Sequence, residues 1–120
     1  AAFDSDAAAV TALQNAVKLT QGLKPIKAEA RDLFRRPLTS AECDRFEAIV
    51  LDPPRAGARE QVTQLAASKV PVVAYVSCNP SSFARDAEIL CKGGYTLDWV
   101  QPVGQFRWST HAELAARFSR

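Results

Sequence analysis

Val70-Pro71-Val72-Val73-Ala74-Tyr75-Val76-Ser77-Cys78-Asn79-Pro80 is an apolar run that stops on a thiol and then turns into a helix start. Residues 70–76 have the composition of a buried strand, and Asn79-Pro80 supplies a helix N-cap followed by proline at the first helical position. Cys78 therefore stands where a strand ends and a helix begins. In an open parallel sheet that edge is where ligands bind. A helix N-terminus there presents N–H donors and a positive dipole end, which favour a thiolate. For an arbitrary free cysteine, burial as a structural side chain is the commoner role. The flanking segments decide between the two.

Upstream, Ala48-Ile49-Val50-Leu51 ends the segment 46–51 as a continuous apolar run, the pattern of a parallel strand covered on both faces. It stops at Asp52-Pro53-Pro54-Arg55. Two prolines cannot donate ladder hydrogen bonds and hold the chain extended, which presents Asp52 at the carboxyl end of the strand. After Gly57 a helix over residues 59–68 leads back to the opening run. Downstream, residues 81–92 form a second helix with Phe83, Ala87, Leu90 and Cys91 on one face, closed by Gly93-Gly94. Residues 95–100 are the next strand. The segment 111–118 is ambiguous: Ala112, Leu114, Ala116 and Phe118 alternate as in a strand, while Glu, Leu, Ala and Arg are good helix formers.

Nearer the N-terminus, Ala1-Ala2-Phe3-Asp4 has the character of a strand end. Asp6 caps a helix over residues 7–19, in which Val10, Leu13 and Val17 recur at helical spacing. Residues 25–30 make a short strand, 31–34 a turn or short helix, and 37–44 a polar, irregular linker. Strands alternating with helices predict an α/β fold with a mostly parallel sheet.

The totals agree with a soluble domain. The 120 residues are 48% hydrophobic, carry a formal charge of +2, and contain no apolar run near the roughly 20 residues that span a bilayer. Three cysteines without close pairing point to reduced thiols in a cytoplasmic setting. With one histidine and no CxxC spacing, zinc is not expected.

Three carboxylates, Asp4, Asp32 and Asp52, fall at or just beyond predicted strand ends, so a parallel sheet would line them along one crevice. An acid after the second strand of a nucleotide-binding α/β fold commonly accepts hydrogen bonds from ribose hydroxyls, which makes Asp4 a cofactor candidate. Acids also gather at helix starts as caps, as Asp6 beside Asp4 illustrates. Asp52-Pro53-Pro54 is more specific, because many adenosylmethionine-dependent methyltransferases carry a similar acid or amide before Pro-Pro at this point. Cys78 follows Asp52 by one helix and one strand, on a neighbouring strand at the same edge, where a thiolate next to a cofactor crevice implies covalent catalysis. His111 and Glu113 are candidate proton acceptors.

Leu51-Asp52-Pro53-Pro54-Arg55-Ala56-Gly57, then Val76-Ser77-Cys78-Asn79-Pro80 with Ala84-Arg85-Asp86, then Thr110-His111-Ala112-Glu113, closely resemble the RNA 5-methyluridine methyltransferase family in order and separation. The resemblance runs from Phe3 onward. It implies a class I methyltransferase (Rossmann-like) fold whose final strand inserts antiparallel between its neighbours, favouring a strand at 111–118. It further implies that Cys78 adds to C6 of a uracil in transfer or ribosomal RNA. C5 then attacks the methyl of S-adenosyl-L-methionine, and Glu113 removes the C5 proton. Asp4, Asp32 and Asp52 match cofactor-contacting positions.

Family members show a pattern like Asp-x-Phe-Pro where this chain has Gly104-Gln105-Phe106-Arg107. The family's Gly-rich cofactor loop and RNA-binding region would precede Ala1, so residues 1–120 are expected to be the C-terminal portion of a methyltransferase domain, inactive alone. Three rivals stand beside this reading. An amino-group methyltransferase shares Asp-Pro-Pro but usually places an aromatic next, where this chain has Arg55. A thiol hydrolase would pair Cys78 with His111. A non-catalytic RNA-binding fragment would concentrate its basic residues, whereas here Arg35-Arg36 is the only adjacent pair.

Overall fold

The computed structural model describes residues 1–104 and 112–120. Its elements follow in the order β1 (Ala2–Asp4), α1 (Ala7–Leu19), β2 (Ala28–Ala30), α2 (Ser40–Cys43), β3 (Ala48–Leu51), α3 (Arg59–Ala66), β4 (Val72–Ser77), α4 (Pro80–Lys92), β5 (Thr96–Val103) and β6 (Glu113–Ser119). They divide into two units, Ala1–Pro37 and Leu38–Arg120.

In the first unit β1 and β2 pair in parallel, Asp4 opposite Ala30. The connecting helix α1 starts where the sequence predicts: the Asp6 carboxylate accepts from the Ala8 and Ala9 amides at 3.0 and 3.1 Å. Gln14 donates to the Ala28 carbonyl at 2.9 Å, tying the helix to its own strand. Residues after β2 form a turn, in which the Asp32 carboxylate accepts from the Phe34 amide at 3.0 Å.

The second unit is built on a four-stranded sheet in the order β3-β4-β6-β5. β3 and β4 are parallel, while β6 runs antiparallel to both β4 and β5. Over Glu113–Ser119 the ambiguity is thus resolved in favour of a strand. Leu114, Ala116 and Phe118 are buried and alternate with half-buried neighbours, so packing on one sheet face overrides helix propensity. On the same face β4 contributes Val73 and Tyr75, both fully buried. They join Val62 and Leu65 of α3 with Phe83 and Leu90 of α4 in the core. Tyr75 and Phe83 meet edge to face, ring centroids 5.3 Å apart.

Three expectations need correction. The linker predicted over 37–44 contains α2, whose Thr39 hydroxyl accepts from the Glu42 amide while the Glu42 carboxylate accepts from the Thr39 amide. That capping box was visible as Thr-x-x-Glu, but four residues are too few to show helical periodicity. Second, β3 is not covered on both faces: it is an outer strand of its sheet, and Val50 is 71% exposed. Third, Cys91 is exposed, because the buried stripe of α4 runs through Phe83, Asp86, Ala87 and Leu90 and leaves position 91 at its margin.

Candidate active site

Three of the five sequence-selected residues share one edge of the four-stranded sheet. Asp52 follows Leu51, the last residue of β3, and Leu51 pairs with Tyr75 on β4. Cys78 follows Ser77, the last residue of β4, and Ser77 pairs with Leu114 of the antiparallel β6. One step further along that register, the positions of Cys78 and Glu113 stand opposite each other. Asp52 is exposed, while Cys78 and Glu113 are half-buried. A solvent-accessible thiol, a carboxylate across the strand from it, and a second carboxylate on the adjoining strand end therefore line one edge.

Asp4 and Asp32 lie in the first unit, at the carboxyl ends of β1 and β2. Each makes a local contact: the Asp4 carboxylate accepts from the Asp6 amide at 2.7 Å, and Asp32 faces Arg35 at 3.8 Å. Both are exposed or half-buried, so oxygen atoms remain accessible for hydroxyl donors. His111 and residues 105–107 lie outside the described residues.

The loop from Asp52 onward is fastened to the start of α4 side chain by side chain. Pro53 and Pro54 bring no N–H, so the loop closes on itself through the Gly57 amide, which donates to the Pro54 carbonyl at 2.9 Å. The Arg55 carbonyl accepts from Asn79 Nδ2 at 2.9 Å and from the Ser82 hydroxyl at 2.8 Å. The Ala56 carbonyl accepts from Arg85 at 2.8 Å. Asn79 also caps α4, its side-chain oxygen accepting from the Ser81 amide at 3.1 Å, as Asn79-Pro80 predicts.

Beneath this lacing sits Asp86, fully buried. One carboxylate oxygen accepts from the Tyr75 hydroxyl at 2.6 Å and the Ala58 amide at 2.7 Å. The other accepts from Arg85 Nε and Nη2 at 3.0 and 2.9 Å. Burial and the adjoining Asp86 carboxylate push the Tyr75 phenol well above its ordinary range. Gly57 lies against the same group: its φ is +80°, and a Cβ there would stand 2.7 Å from Asp86 Oδ2. In the sequence Asp86 belongs to the Ala84-Arg85-Asp86 motif and is an acid inside the apolar stripe of a helix, and neither signal gives it a role of its own.

An α/β unit with an antiparallel strand inserted before the edge strand is the arrangement of class I methyltransferases, and solved structures bear this out. The chain superposes on a Pyrococcus abyssi tRNA (uracil-54, C5)-methyltransferase, solved with S-adenosyl-L-homocysteine, with a TM-score of 0.74 and 30% identity over 97% of this chain and 27% of that one. Residues 6–120 match the family model described as tRNA (uracil-5-)-methyltransferase, and the chain belongs to that family.

An uncharacterized RNA methyltransferase of Brucella melitensis is 54% identical over 115 residues, 96% of this chain and 28% of the relative. The 23S rRNA (uracil(1939)-C(5))-methyltransferase RlmD of Colwellia psychrerythraea is 42% identical over 74 residues, 62% of this chain and 16% of the relative. The chain thus spans less than a third of the length of these relatives. No helix among the described residues is long and apolar enough to cross a membrane.

Proposed function

We propose that this segment forms the C-terminal part of the catalytic domain of a cytoplasmic RNA (uracil-5-)-methyltransferase, with Cys78 as nucleophile and Glu113 as base. The observation that carries the reading is the β4–β6 register, in which Ser77 pairs with Leu114 and so sets Cys78 across from Glu113. In the second unit the exposed Asp52 carboxylate at the end of β3 fits a cofactor rich in hydroxyl and amino donors, while Asp4 and Asp32 are cofactor candidates on the sequence resemblance alone. When bound, S-adenosyl-L-methionine supplies an electrophilic methyl group.

The chemistry explains why a thiol is needed. C5 of uracil is a weak nucleophile while C5 and C6 share a double bond. Addition of the Cys78 thiolate to C6 moves that electron pair to C5, which would then form the new carbon–carbon bond to the methyl group as the methyl–sulfur bond breaks and its electrons stay on the sulfur. Glu113 accepts the C5 proton, the C5–C6 double bond returns, and Cys78 leaves with the electrons of its C–S bond. Holding the base between a fixed thiolate and a fixed carboxylate removes most of the entropic cost of these steps.

The test is incubation of the full-length protein with uridine-containing RNA and methyl-labelled S-adenosylmethionine, followed by nucleoside analysis. Label in 5-methyluridine is expected. Label on an exocyclic nitrogen would instead support the amino-group chemistry of other Asp-Pro-Pro enzymes. Residues 1–120 alone are expected to bind the cofactor weakly and not to turn over, so robust methylation by that segment would contradict the division of labour proposed here.

A further inference from the structure

Asp86 is a fully buried carboxylate in a helix whose buried stripe is otherwise mostly apolar. Removing a carboxylate from water is costly unless paired and hydrogen-bonded groups offset it. A core stabilised for its own sake would carry a leucine there. What Asp86 gains instead is connection.

It reaches Tyr75 on the strand that ends at Cys78, Ala58 at the start of α3, and Arg85, which in turn holds the Ala56 carbonyl of the Asp52 loop. Ala58 begins α3 with no side-chain cap of its own, so a carboxylate 28 residues away serves that helix end, where a negative charge is also favoured. Gly57 lets this happen, since a side chain there would collide with the Asp86 oxygen.

We propose that Asp86 is a positioning residue, which with Tyr75 and Arg85 sets where the Asp52 loop stands relative to the strand carrying Cys78. It touches neither base nor cofactor. The loop's two prolines deprive it of backbone donors, so its placement depends on the helix-borne groups that grip its carbonyls and on the carboxylate that aligns them. The inference rests on the reading of Asp52 as a cofactor contact.

The experiment compares Asp86→Asn, Tyr75→Phe and Val62→Ala in the full-length protein. Val62, fully buried on α3, is a packing control with no part in this network. The readouts are the S-adenosylmethionine dissociation constant by calorimetry, the alkylation rate of Cys78 by iodoacetamide, and the melting temperature. Asp86→Asn is expected to weaken cofactor binding about tenfold, with Cys78 alkylation within about twofold of wild type. Tyr75→Phe, which deletes one hydroxyl and keeps the ring packed, is expected to weaken binding about threefold and carries the test if Asp86→Asn fails to fold. Val62→Ala should lower the melting temperature and leave cofactor binding unchanged. Wild-type affinity in folded Asp86→Asn, or in Tyr75→Phe, would overturn the positioning role, as would equal weakening by Val62→Ala. A wild-type protein that binds no S-adenosylmethionine would overturn the functional reading itself and this inference with it.

Discussion

Ser77 of β4 pairs with Leu114 of β6 in an antiparallel register, so the next positions outward, Cys78 and Glu113, stand opposite each other at the edge where Asp52 also lies. A distant pair in the sequence thereby becomes a local one. The antiparallel insertion is what achieves it, because a parallel strand at that place would put its amino end at the far side of the sheet.

Glu113→Gln keeps the shape of the side chain and removes its capacity to take a proton. Methylation by the full-length enzyme is expected to fall about 10²–10⁴-fold. Covalent RNA–protein complex should accumulate with ordinary uridine, because the methylated adduct lacks a base for elimination. Gel electrophoresis under denaturing conditions reads this directly, and a variant that loses turnover without accumulating complex would count against Glu113 as the base.

Gly57→Ala places a methyl group 2.7 Å from Asp86 Oδ2 at a φ of +80°. The left-handed backbone alone costs about 1–2 kcal/mol, and the fully buried Asp86 carboxylate is held in place by its own hydrogen bonds. Thermal unfolding should show the loss, and an unchanged melting temperature would contradict the packing described around Asp86.

The Tyr75 phenol is held neutral by burial and by Asp86, which raises its pKa above the ordinary value of about 10. A raised folded-state pKa means that this contribution to stability is complete below about pH 10 and is lost as pH rises above it, where the unfolded chain releases its proton first. Of the two tyrosines, Tyr75 should not contribute to a phenolate absorbance step near that pH in the native protein. Tyr75→Phe should therefore leave any such step unchanged, and a step that shrinks on substitution would contradict the assignment.

Arg120 spans the C-terminal ends of α3 and α4, donating to the Ala66, Ser68 and Gly93 carbonyls at 3.0, 2.7 and 3.0 Å, and lies 3.9 Å from the Tyr95 ring centroid. Arg120→Ala is expected to destabilise by about 1 kcal/mol. Arg120→Lys should not recover it, since an ammonium cannot present a planar fork to three separated acceptors. Denaturant unfolding of the three proteins makes the comparison.

Much of this was legible in the sequence because local signals agreed. Asp6 and the 3.6-residue spacing placed α1 at its observed limits, and Val-rich β4 followed by Asn79-Pro80 defined the junction at Cys78. Glu113–Ser119 is not legible from pattern alone. Its alternation and its helix propensity conflict, and pairing with β4 and β5 decides the outcome. The role of Asp86 is not legible for a different reason: its position in the Ala84-Arg85-Asp86 motif and in an apolar stripe marks the residue, but its partners Tyr75 and Ala58 are 11 and 28 residues away. Apolar periodicity puts Cys91 on the helical stripe, but the stripe centres on Asp86, a residue that apolar periodicity does not count, and Cys91 is exposed.

The proposed chemistry depends on Cys78 as a covalent nucleophile. Mass spectrometry of the full-length protein incubated with S-adenosylmethionine and RNA containing 5-fluorouridine tests this most directly, because fluorine at C5 cannot be removed as a proton is and the adduct cannot resolve. A nucleotide adduct mapping to Cys78 is expected, and none in Cys78→Ala. An adduct on another residue, or continued uridine methylation by Cys78→Ala, would contradict it.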